Sequence, residues 1–93
     1  MDMFNSETTV RLEEIMAQDI PDIEKLVQGY DWITSRVITM AEREIELAKA
    51  MQDQETVVKQ QIKMSSIKLT RGIFEQCYIQ ATGRRAKVWE DKK

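Results

Sequence analysis

Between Pro21 and Gly83 there is no proline, and apolar residues recur at intervals of three and four through most of that span. A chain built this way has few places to turn and must lay down long helices, because spacings of three and four bring side chains onto one helical face. Only two places offer clear punctuation. Asp19-Ile20-Pro21-Asp22 sets a proline where a helix interior cannot hold it but a first turn can. Gln52-Asp53-Gln54-Glu55-Thr56 is an extended polar run with a capping acid.

These breaks predict a short helix at about 7–18, a long helix at about 21–51 and a third at about 54–82, with a basic tail at 83–93. The expected fold class is all-α: a long antiparallel helical hairpin preceded by a short helix, in a single domain over 1–93, assembling into a multi-chain bundle. Asn5-Ser6-Glu7 is the start signal of the first helix. Gly83 suits a left-handed stop for the third. The rival arrangement is one unbroken helix from Pro21 to Thr82, roughly 90 Å long at ~1.5 Å per residue. A polar run beside a cap favours the turn.

On the second helix, Ile23, Leu26, Tyr30, Ile33, Val37, Met40, Leu47 and Met51 form the expected core series. Glu44 interrupts it, and the apolar face slides onto Ile38, Ala41, Ile45 and Ala48, which places Glu44 at the stripe's edge. The third helix has two apolar faces. Val58, Ile62, Leu69 and Ile73, with Ser66 and Cys77, make one. Ile67, Phe74, Tyr78 and Ala81 make the other, rotated by roughly 120° at about 100° per residue. One can meet the second helix, and the other then needs a further neighbour.

Charge is unevenly spread. Residues 1–24 carry seven acids and one base, whereas residues 57–93 carry nine bases and three acids. Such a gradient serves an outside partner or draws the two ends together, with the acidic first helix near Lys68, Arg71, Arg84 and Arg85.

Catalysis has little to work with. The absence of histidine removes the commonest general base, the Ser–His and Cys–His pairs and the usual zinc ligands. The three glycines stand apart, so no phosphate loop occurs. Cys77 is expected as a small buried core residue, and Glu42, Glu44 and Glu46 as a solvated face. Neither a cofactor nor a metal is expected. Met40-Ala41-Glu42-Arg43-Glu44-Ile45-Glu46-Leu47-Ala48 resembles the first-helix pattern of small all-helical chorismate mutases around a substrate-binding arginine, here Arg43. That resemblance implies an anionic-metabolite site, but Leu26 and Gln54 stand where the family has cations. Trp32-Ile33-Thr34 lacks the Trp-x-Gly turn of secreted helical hairpins.

The expected function is therefore a non-enzymatic interaction module. Protein-binding candidates are Ile67, Phe74, Tyr78, Trp32 and Trp89, facing a second copy or another protein's helix. A nucleic-acid accessory role through Lys68, Arg71, Arg84, Arg85 and Lys87 is the first alternative, and a small enzyme binding an anionic metabolite is the second. No membrane span and no secretory leader are read, and one cysteine suits a reducing, cytoplasmic setting.

Overall fold

The computed structural model describes residues 6–90, the side chain of Glu90 excepted. Its elements in order are α1 (Ser6–Met16), α2 (Asp22–Ala50), α3 (Gln54–Thr82) and α4 (Lys87–Glu90). The hairpin is formed by α2 and α3, each of 29 residues. At ~1.5 Å per residue that length is about 44 Å, close to the molecule's longest extent of 46 Å. None of the described helices is long and apolar enough to cross a membrane. The start signal at Asn5 lies outside the described residues.

The turn uses the residues that the polar run supplies. Gln52 takes a left-handed φ of 58°. Its N–H donates to the Lys49 carbonyl at 3.1 Å, and the Asp53 N–H reaches the Ala48 carbonyl at 2.8 Å. These are the two bonds of a Schellman stop, with glutamine where glycine is usual. Asp53 then caps α3. Its carboxylate accepts from the Thr56 N–H at 3.2 Å and from the Thr56 hydroxyl at 2.7 Å. At the far end Gly83, at φ 75°, ends α3 with its N–H on the Ile79 carbonyl at 2.7 Å.

The seam between the long helices differs from the expected core series. On α2 the buried positions facing inward include Val27, Asp31, Thr34, Val37, Ala41 and Ala48. Val27, Thr34, Ala41 and Ala48 recur every seven residues. Ile23, Leu26, Leu47 and Met51, expected in the core, are exposed. The slide of the apolar face past Glu44 is thus the main packing surface, and Glu44 itself is exposed. The α3 side of the seam is Val57, Gln60, Met64, Ile67, Arg71, Phe74 and Tyr78, all buried or half-buried. Their steps of three and four follow a seven-residue repeat.

The short helix α1 packs on α2, not on α3. Ile15 and Thr8 are fully buried, and Leu12 and Met16 lie over Gly29. Glu7 on α1 pairs with Arg36 of α2 at 2.8 Å. The acidic first helix is therefore not beside Lys68, Arg71, Arg84 and Arg85. The charge gradient is satisfied further along, by α2 acids against cations of α3 and the tail. Asp31 meets Arg71 at 2.5 Å and Glu24 meets Arg84 at 3.8 Å.

Candidate functional site

The two faces of α3 are exchanged relative to the sequence expectation. The aromatic face turns inward. Phe74 stacks on Tyr30 of α2, with ring centroids 4.4 Å apart and planes 10° from parallel. Tyr78 is buried and donates its hydroxyl to the Glu24 carboxylate. Burial first, then that hydrogen bond and the charge of Glu24, push the Tyr78 hydroxyl above its ordinary range. Ile67 is half-buried along the same face.

The tail completes this cluster. After Gly83 the chain turns back, and α4 lays Trp89 edge-on against Phe74 and Tyr78, with centroids 5.9 and 5.8 Å away. Val27, Tyr78, Ala86 and Trp89 form one buried core, with Phe74 and Val88 packed against it. Geometries of this kind add about 0.5–1.5 kcal/mol per pair beyond area burial. Four of the five proposed protein contacts, Ile67, Phe74, Tyr78 and Trp89, thus pack within the chain instead of lying on an open face. The fifth, Trp32, is half-buried beside α1, with the Arg36 guanidinium 5.0 Å above its ring. It lines a shallow groove with Glu7, Val10, Arg11 and Glu14. Periodicity had no means of finding the Trp89 packing. Its sequence signal is the i,i+3 pair Ala86 and Trp89 just past a glycine stop.

The proposed cationic contacts divide. Arg71 is held by Asp31, Arg84 lies near Glu24 and over the Tyr78 ring at 5.6 Å, and Arg85 pairs with Glu75 at 2.8 Å. Lys68 and Lys87 are exposed, Lys68 on the outer side of α3 and Lys87 beside Pro21, Glu24 and Gln28. These five side chains do not form one open basic surface. Arg36 and Arg71 are ion-paired and Arg43 is exposed, so these three do not form an inward-facing group between the helices. Among the described residues no cluster of three or more histidine, cysteine or acidic side chains is placed to hold a metal.

The aliphatic face of α3 is open, as are Leu26, Leu47 and Met51 of α2 and the turn. Val58, Ile62, Leu69 and Ile73 are 50, 62, 65 and 54% exposed. At about 100° per residue they lie roughly 180° from the seam residues, so α3 is apolar on opposite sides. Cys77, expected in the core, is exposed with them. Leu69, Gly72, Ile73 and Gln76 frame a notch flanked by Lys68 and Cys77. A side-chain carbon added at Gly72 would meet nothing within 4 Å. Compared with protein-family models, curated proteins and solved structures, the chain matches none.

Proposed function

We propose that this chain is a non-enzymatic interaction module that works by helix docking, as an adaptor, chaperone-like protein or structural subunit. The docking surface is the outer face of α3, not its aromatic face. One observation carries the reading. Four large aliphatic side chains stand in line over about four turns of α3, each at least half exposed. Burying a Val, Leu or Ile side chain fully is worth about 1.5–3 kcal/mol, so the line holds several kcal/mol that the hairpin alone does not use. A helix apolar on opposite sides is served by a neighbour on each side, and an open apolar stripe edged by polar residues is the usual form of an interaction surface.

A photo-reactive amino acid placed at Leu69 tests this in the cells that make the protein. Irradiation should yield a covalent adduct with a protein chain at Leu69, and none at Glu42, which is exposed on the acidic stretch of α2. Equal labelling at the two positions, or none at Leu69, would remove the reading.

A further inference from the structure

The outer face of α3 has an order that narrows its occupant. We infer that it receives a second copy of itself, antiparallel, about a two-fold axis between Ser65 and Ser66. This rests on the docking reading above and names its occupant. The stripe is a palindrome in position: Val58 and Ile73 are equidistant from that axis, as are Ile62 and Leu69, with Ser65 and Ser66 at the centre. This arrangement suits a two-fold interface, since each contact of residue i with j recurs as j with i and here both partners are apolar. In the register, Ile62 of one copy faces Leu69 of the other, Val58 faces Ile73, and the small serines sit where the helices pass closest.

The notch supports the same register. Leu69, Gly72, Ile73 and Gln76 are spaced i, i+3, i+4 and i+7, the four corners of a hole that accepts a knob from a facing helix. The residue that the two-fold brings level with the hole is Val58, on the matching flank of the stripe. Gly72 gains nothing from its lack of a side chain within the single chain, because the space beside it is open. It gains a purpose when Val58 of another copy fills the hole. Charge does not oppose the pairing. Lys63 and Lys68 come level across the axis, but at about 100° per residue they stand on opposite flanks of the stripe. Contact over about four turns from each copy suits a modest dimer at the lower end of specific interfaces, about 1,200 Å² in total.

Spin labels on the full chain test both the occupant and its direction. Cys77 is the only cysteine and is exposed, so it takes a nitroxide without substitution. In the proposed register Cys77 is level with Gln54 of the other copy. The two labels then stand about 35 Å apart, 23 residues at ~1.5 Å each. A Cys77→Ser/Ser66→Cys chain should instead bring its labels within about 15 Å. Ile62→Lys, at a position already 62% exposed, should leave helical circular dichroism unchanged and weaken dimerisation at least ~10-fold, since it sets a charge in an apolar contact. Cys77 labels within about 15 Å would mean parallel pairing, and a dimer indifferent to Ile62→Lys would mean another face. Either result overturns the proposal while leaving helix docking intact. A monomer at every concentration also overturns it; only the further lack of a Leu69 adduct would remove the docking reading as well.

Discussion

Arg71 donates through Nη2 to Oδ1 of Asp31 at 2.5 Å, joining residues 40 apart in sequence across the seam of the hairpin. The two side chains are 23 and 10% exposed, so the pair is largely shielded. A shielded ion pair adds little net stability over apolar packing, yet breaking it from one side leaves a charge without its counter-ion. Its value here is register, since one alignment of α2 against α3 satisfies both charges. Arg71→Met should lower unfolding free energy by up to about 3 kcal/mol, the low end for breaking a buried pair, because the arginine is 23% exposed and partly solvated. The double variant Asp31→Leu/Arg71→Met should recover much of that loss. Urea titration of the four chains of the cycle measures both effects, and strict additivity would deny the coupling.

Gln52 holds a left-handed backbone, at φ 58°, that costs an L-residue about 1 kcal/mol. Gln52→Gly should therefore raise stability by up to about 1 kcal/mol, visible as a higher urea midpoint at unchanged slope. A lower midpoint would show that the turn is not closed in this way.

Asp53 gives the turn a pH dependence. Hydrogen bonds from the Thr56 hydroxyl, then from its N–H, hold the Asp53 carboxyl below its ordinary value of 3.8. A carboxyl lowered on folding stabilises the native state above its ordinary value, and that contribution is lost as pH falls through the lowered one. Asp53→Ala should therefore be less stable than the parent at neutral pH. The gap should close progressively as pH drops below about 4. A gap independent of pH would point to helix propensity instead of the cap.

Trp89 makes the tail part of the core. Trp89→Ala should cost about 3–5 kcal/mol, the usual range for emptying a buried aromatic site. In the parent chain Trp89 is 6% exposed, so its emission should lie to the blue and shift to the red on unfolding, whereas in Trp89→Ala only the half-buried Trp32 emits. A chain that keeps its stability without Trp89 would show α4 to be undocked.

Much of the architecture was legible in the residues. Pro21, the Asp53 cap and Gly83 stand where α2 begins, where α3 begins and where α3 ends, because each acts through its own backbone. Which side of α3 faces α2 was not legible. Both stripes have helical spacing, and the choice is made by contacts between distant residues: Tyr30 with Phe74, Asp31 with Arg71, Glu24 with Tyr78. The α2 seam was obscured for a related reason. Thr34, Ala41 and Ala48 are small and only weakly apolar, so Leu26, Met40 and Leu47 dominated the pattern although Leu26 and Leu47 lie outside. The docking surface followed as the remainder, once the aromatic face was spoken for.

Sedimentation equilibrium over a wide concentration series addresses the most specific claim, that the aliphatic side of α3 is covered by a second copy of the chain. The mean mass should climb from the 10.9 kDa of one chain toward twice that value. A Leu69→Lys chain, altered where the side chain is 65% exposed, should stay at the single-chain mass with its helices intact. Parent and variant both remaining at 10.9 kDa up to millimolar concentration would contradict the account.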